Sequence, residues 1–136
     1  MDALEKIFKE AEEIIRDIEF KKIRTMKEKE NRKVFAYFPV YVPMEILHAL
    51  DIIPLGLHGA GNEIEILHAD SRFGSFICSI VKSTMEMGLS KRLDFIDGML
   101  YTGICDAARN VSYIYKRSFP DKEIIFFHLT LRLTDI

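Results

Sequence analysis

The chain has 136 residues, and 19 lysine and arginine residues against 21 aspartate and glutamate residues give a formal net charge of −2 at pH 7. This length fits one compact domain, and a hydrophobic content of 49% supplies enough apolar side chains for a core. A charge so near zero predicts no strong attraction to nucleic acid or anionic membranes. The sequence contains no run of about 18 apolar residues, so no membrane span is predicted.

The first twenty residues are rich in acidic side chains and include no apolar secretory segment, so we expect a cytoplasmic protein. Structural disulfides are rare in the cytoplasm. The two cysteines of the chain are therefore predicted to be reduced thiols or metal ligands.

Residues 1–32 differ from the rest of the chain in their density of charged side chains. Apolar residues recur there with the spacing of one helix face: Leu4, Ile7, Phe8, Ala11, Ile14, Ile15 and Ile18. We predict an amphipathic helical arm, continuing toward Ile23, that packs on the edge of the following domain. A coiled coil is the alternative, but the stripe is shorter than the roughly three or four heptads that a coiled coil needs.

From residue 33 onward, short apolar runs alternate with amphipathic segments. The predicted elements are strands at 34–38, 52–57, 98–102 and 124–127, and helices at 44–50, 76–89 and 106–116. Strands that alternate with helices imply parallel pairing through right-handed crossovers. We therefore predict an α/β fold over residues 33–136, an open parallel sheet of about four strands with crossover helices. Residues 129–133 alternate like a further strand.

Cys105 directly follows the third predicted strand and precedes a helix that begins near Asp106. Ligands of open parallel sheets bind outside the carboxyl ends of the strands. The positive end of a helix dipole stabilises a thiolate, which is the metal-binding form of cysteine. Cys78 lies near the start of another predicted helix. We expect both sulfurs on one side of the sheet, close enough to share a cluster or a small cavity.

Spacing alone leaves a second interpretation open for both cysteines. A free cysteine is often a small buried apolar residue, and two cysteines cannot complete a four-thiolate cluster. The histidines near the Gly59-Ala60-Gly61 turn have a similar ambiguity. His58 and His68 are candidates to line a pocket, although two loop histidines at this separation are common by chance.

Three segments resemble, in the same order, the subunits of the 2-hydroxyacyl-CoA dehydratase and benzoyl-CoA reductase family, which includes 2-hydroxyglutaryl-CoA dehydratase D-component-like chains. The first is YVPMEILHAL at 41–50 with IPL at 53–55. The second runs from the AD pair at 69–70 to FICS at 76–79, and the third from LDFIDG at 93–98 to CDAAR at 105–109. The resemblance covers residues 33–128 and indicates the N-terminal portion of a longer subunit.

The resemblance implies that Cys78 and Cys105 are ligands of a [4Fe–4S] cluster in an enzyme of anaerobic metabolism built from two related subunits. It also implies an ATP-dependent activator protein that passes one electron to the cluster. A CoA thioester then accepts the electron as a ketyl-type radical, before loss of water or further reduction. The family's subunits supply a third cysteine from a later domain, so we expect this chain to work within an oligomer and not alone.

Two other functions remain open. One is a non-catalytic module that binds acyl-CoA or a nucleotide and has lost the cluster. The other is a module that docks onto a partner through its charged helix and through the sheet edge near Phe126 and Phe127, because an uncovered apolar edge strand tends to pair. One departure from the family pattern is Lys82, which stands where the resemblance leads us to expect arginine.

Overall fold

The computed structural model describes residues 2–61 and 63–128. Its elements in chain order are α1 (Ala3–Arg16), α2 (Lys21–Glu30), β1 (Val34–Phe38), α3 (Met44–Ala49), β2 (Ile53–Gly56), a single 3-10 turn (Ala69–Ser71), α4 (Ser79–Leu89), β3 (Gly98–Thr102), α5 (Asp106–Ser118) and β4 (Glu123–Phe127). The four predicted strands and the three predicted crossover helices are therefore confirmed, with small differences at their ends. The further strand predicted at 129–133 lies outside the described residues.

The four strands form one parallel sheet in the order β2-β1-β3-β4, which confirms the predicted α/β class. Strand β1 is central, with Val34 opposite Ile53 of β2 and Phe35 opposite Gly98 of β3. The connection that leaves β1 leads to β2 on one side of the sheet, and the connection that leaves β3 leads to β4 on the other side. The two connections therefore diverge between β1 and β3. Open α/β sheets bind ligands in the crevice that such a divergence leaves at the carboxyl ends of the two strands.

The core lies on both sides of the central strands. All five residues of β3 are buried, and their sequence, GMLYT, is almost continuously apolar. Such a run is typical of a parallel strand that has helices on both faces. The rings of Phe38, Tyr101 and Tyr115 pack on one another next to β3, with centroids 5.9–6.2 Å apart.

The N-terminal arm consists of two helices and not one. Helix α1 ends at Arg16, and the chain turns at Phe20, whose φ of 52° breaks the helical path before α2. None of the residues of α1 is buried, so the packing predicted for the apolar stripe is wrong for the part of the stripe that lies in α1. From Ile18 onward, four side chains of the arm pack against the core: Ile18, Phe20, Ile23 and Met26.

Helix α2 is attached to the amino end of the sheet by Lys27. Its ammonium group donates to the carbonyl oxygen of Phe95 at 2.5 Å and to Oδ2 of Asp97 at 2.8 Å. The same carboxylate oxygen accepts the N–H of Val34 at 2.8 Å. Burial raises the pKa of Asp97, but the hydrogen bonds from Lys27 and Val34 outweigh it and leave that pKa below its ordinary value.

In the described ranges, no helix is both long enough and apolar enough to cross a membrane.

Candidate functional site

Cys105 and Cys78 each occupy the N-cap of a helix. The backbone of Cys105 is extended, and its Sγ accepts the N–H of Ala108 at 3.4 Å in the first turn of α5. The backbone of Cys78 is also extended as α4 begins. Both side chains are exposed free thiols, so the interpretation of either as a small buried apolar residue is wrong.

The two helices that follow the cysteines are neighbours. The crossovers from β2 to β3 and from β3 to β4 advance in the same direction across the sheet, and right-handed connections then put α4 and α5 on one face. They pack closely, because a Cβ added at Gly88 of α4 would lie 2.5 Å from the hydroxyl of Tyr115 of α5. Both helices begin at the carboxyl edge of the sheet, so the N-caps Cys78 and Cys105 stand at the same edge. A shared cluster remains a prediction.

The loops that follow β1 and β3 are joined at the crevice between these strands. The hydroxyl of Thr102, the last residue of β3, donates to the carbonyl oxygen of Val40 at 2.6 Å. The next residue, Tyr41, is 73% exposed and has a left-handed backbone with φ of 60°. Such a conformation costs a bulky residue about 1–3 kcal/mol, and residues held in it cluster at functional sites. Tyr41 is therefore a candidate site residue that sequence reasoning did not single out.

A buried carboxylate holds the loop that leads to Cys78. Glu86 of α4 is only 2% exposed, and its Oε2 accepts the N–H groups of Leu67, His68 and Ala69 at 3.2, 2.8 and 2.8 Å. Its Oε1 lies 2.7 Å from Nδ1 of His68. Burial raises the pKa of Glu86, but the hydrogen bonds from His68 and the backbone amides outweigh it and lower that pKa below its ordinary value. Glu86 is therefore ionised at neutral pH.

The two loop histidines have different surroundings. His58 lines a cavity of about 550 Å³ between the end of α1 and the loop after β2, together with Ile14, Ile15 and Leu57. His68 is instead fixed by Glu86. The pocket predicted for the two histidines is thus present for His58, whereas His68 has a structural bond that explains its position.

The side chains of this chain that could bind a metal fit only part of a cluster site. Within the described ranges, no group of three or more histidine, cysteine, aspartate and glutamate side chains is arranged to hold a metal ion. The whole chain has two cysteines, so it can give a four-iron cluster at most two thiolates. Exposed thiols at two neighbouring helix N-termini fit that contribution, provided that the remaining ligands come from elsewhere.

Comparison with known proteins agrees with the resemblance of the three sequence segments. Residues 39–133 match the family model of the 2-hydroxyglutaryl-CoA dehydratase D-component. The chain is 45% identical over 130 residues to one of the subunits of benzoyl-CoA reductase of Thauera aromatica, and the match covers 95% of this chain and 34% of that protein.

Two dehydratase subunits are also similar. Identity to the beta subunit of (R)-2-hydroxyglutaryl-CoA dehydratase of Acidaminococcus fermentans is 31% over 98 residues, or 72% of this chain and 26% of that protein. Identity to the beta subunit of (R)-phenyllactyl-CoA dehydratase of Clostridium sporogenes is 29% over 125 residues, and the match covers 92% of this chain and 33% of that protein. The chain therefore spans about a third or less of the length of these relatives.

Proposed function

The chain belongs to the 2-hydroxyglutaryl-CoA dehydratase D-component family, and from this membership we propose that it is the cluster-bearing portion of a subunit of a 2-hydroxyacyl-CoA dehydratase or benzoyl-CoA reductase-like enzyme. The observation that carries the proposal is the pair of exposed free cysteines that cap two neighbouring helices at the carboxyl edge of the sheet. Open parallel α/β sheets in general bind ligands at this edge, which supports the proposal.

In this proposal, Cys78 and Cys105 each donate a thiolate to one [4Fe–4S] cluster. The N-termini of α4 and α5 stabilise the two negative charges, because the positive ends of the helix dipoles meet the sulfurs. A further thiolate comes from a part of the enzyme outside this chain. The bound cluster supplies a single electron to the carbonyl of a CoA thioester.

The proposed enzyme includes a second related subunit and an ATP-dependent activator protein, and acts on an acyl-CoA substrate. The names of the relatives support a partner subunit, since each is one subunit of its enzyme. We place the protein in the cytoplasm of an anaerobic cell, where thiols stay reduced. The chain alone is not a competent enzyme in this account, because it offers two cluster ligands at most.

The test is anaerobic reconstitution with iron and sulfide, with and without a candidate partner subunit, followed by counting of iron per chain. Cys78→Ser and Cys105→Ser are the informative variants, because serine is itself a good N-cap and preserves the helix while removing the thiolate. We expect each variant to lose iron, with an unchanged circular dichroism spectrum and melting temperature. Iron content equal to that of the unmodified chain in both variants would contradict the ligand roles.

A second candidate function, a partner-docking module without a cluster, is favoured by one observation. The apolar stripe of α1 is exposed, with Ile7 and Phe8 each more than 60% accessible. Native mass spectrometry separates the two functions. A complex with a candidate partner subunit that forms equally well without iron, and that Ile7→Lys abolishes, would support docking. A complex that forms only after reconstitution with iron would support the cluster.

A further inference from the structure

We propose that Glu86 is a positioning residue for Cys78. Its buried carboxylate fixes the loop of residues 57–78 on α4 and thereby determines where the Cys78 thiol stands. This inference rests on the proposed function, because it assigns a residue that supports the same cluster site.

The loop that Glu86 holds is long and has little regular structure of its own. It leaves β2 after Gly56, contains only the single turn Ala69–Ser71 among its described residues, and ends at the N-cap Cys78. Loops longer than about 12–15 residues are uncommon in compact domains and are usually either functional or disordered. A loop of this length needs anchors if it is to present its last residue in one position.

The bonds of Glu86 supply such an anchor. Removing a carboxylate from water is costly unless its oxygens accept hydrogen bonds, and an apolar residue would fill the same space without that cost. Here one oxygen accepts three successive backbone N–H groups, those of residues 67–69, and the other meets the ring of His68. The carboxylate therefore specifies the path of the loop, which a hydrophobic contact would not do.

A second anchor lies on the same face of α4. Cys78, Lys82 and Glu86 are four residues apart, a spacing that aligns side chains along one side of a helix. The ammonium group of Lys82 is 2.7 Å from Oδ1 of Asp70, and the Lys82 side chain is only 14% exposed. The 3-10 turn is thus held by two side chains of α4, Lys82 and Glu86, one and two turns after the N-cap Cys78.

A third anchor holds the start of the loop. The hydroxyl of Ser83 accepts the N–H of Ala60 at 3.3 Å. The backbone of the loop lies so close to α4 that a Cβ added at Gly59, whose φ is +78°, would lie 2.5 Å from the hydroxyl of Ser83. The start and middle of the loop are therefore fixed on α4. Residues 72–77 are the short link between the anchored 3-10 turn and Cys78. If the bonds that hold the turn are lost, we therefore expect the position of Cys78 to change.

The experiment compares Glu86→Gln with Glu65→Gln in the full chain. Glutamine keeps the size of the side chain and removes its charge, and Glu65 is an exposed carboxylate of the same loop, which makes it the matched control. Three quantities are measured: hydrogen exchange at residues 67–69, the alkylation rates of Cys78 and Cys105 in the metal-free chain, and the electron paramagnetic resonance spectrum after reconstitution with iron, sulfide and the candidate partner subunit.

In Glu86→Gln we expect exchange at residues 67–69 to become about tenfold faster, because hydrogen bonds to a charged acceptor are lost. The alkylation rate of Cys78 should change by about threefold or more while that of Cys105 is unchanged, since thiol reactivity follows its surroundings. The resonance spectrum should shift at an unchanged iron content. Glu65→Gln should match the unmodified chain in all three measurements.

Faster exchange with an unaltered Cys78 alkylation rate and an unaltered spectrum would overturn the inference, since Glu86 would then be merely structural. If Glu86→Gln does not fold, Asp70→Asn replaces it, because the Asp70 side chain is 61% exposed and its loss removes only the neighbouring anchor. If the unmodified chain binds no iron even in the presence of the candidate partner subunit, the proposed function fails, and the alkylation rates in the metal-free chain still decide the role of Glu86.

Discussion

At the scale of single residues, the hydroxyl of Tyr101 is a polar group placed in the apolar core. The residue is fully buried, and among the described residues its hydroxyl has no hydrogen-bond partner. Burial raises the pKa of Tyr101 well above its ordinary value, so the group stays neutral. An unsatisfied buried hydroxyl costs about 1–3 kcal/mol.

Tyr101→Phe removes this hydroxyl and keeps the ring packed against Tyr115. We expect the free energy of unfolding, measured by urea denaturation, to rise by about 1 kcal/mol. Tyr113→Phe is the control, because Tyr113 is exposed and its change should have no effect. A decrease of similar size in Tyr101→Phe would show that the hydroxyl has a partner after all.

Two carboxylates, the buried Glu86 and the half-buried Asp97, predict a stability that depends on pH. The pKa of Glu86 and that of Asp97 are lower in the folded chain than their ordinary values of 4.5 and 3.8. A lowered folded-state pKa contributes stability that is fully present above the unfolded-state pKa and is lost as the pH falls through the folded-state value. The free energy of unfolding should therefore decline from about pH 5 downward.

Glu86→Gln should flatten part of this decline, while the part due to Asp97 remains. The measurement is a series of urea denaturation curves between neutral pH and the acid transition. Slopes that are identical in the variant and the unmodified chain would mean that Glu86 contributes nothing to acid sensitivity.

At the scale of elements, the described contacts of the arm with the domain run through α2 and the turn before it. Lys27 bonds to Phe95 and Asp97, and the guanidinium of Arg24 lies 4.2 Å from the centroid of the Phe95 ring. Lys27→Met should lower the free energy of unfolding by about 1 kcal/mol, because Asp97 loses a partly buried partner. Lys29→Met, an exposed change on the same helix, should leave it unaltered. An equal loss in both variants would contradict the role of Lys27.

The elements were predictable wherever a local pattern encodes them. Buried strands appear as short apolar runs, and the crossover helices appear through their apolar spacing, so the succession of elements along the chain and the parallel pairing of the strands follow from the sequence. The order of the strands within the sheet was not predicted. The break in the arm was not predictable. The turn depends on a left-handed backbone at Phe20, and phenylalanine carries none of the signal that a glycine would give there.

At the scale of the whole molecule, the candidate site combines near and distant parts of the chain. The placement of Cys78 and Cys105 near helix starts was predictable from the alternation of strands and helices. Their role as cluster ligands was implied only by the resemblance to the family and stays a prediction. Glu86 was not predictable, because the amides it binds are 17 to 19 residues away in sequence and no local motif links them. Such a bond becomes visible only when the loop is folded back on α4.

The central claim, that Cys78 and Cys105 hold one cluster, is tested most directly by alkylation mapped with mass spectrometry. The chain is reconstituted anaerobically with the candidate partner subunit and treated with a thiol reagent before and after removal of the iron. The account predicts that both cysteines are protected together while iron is bound and that both react once it is removed. It also predicts that Cys78→Ser exposes Cys105 to the reagent and that Cys105→Ser exposes Cys78. Bound iron with both cysteines still reactive would contradict the claim.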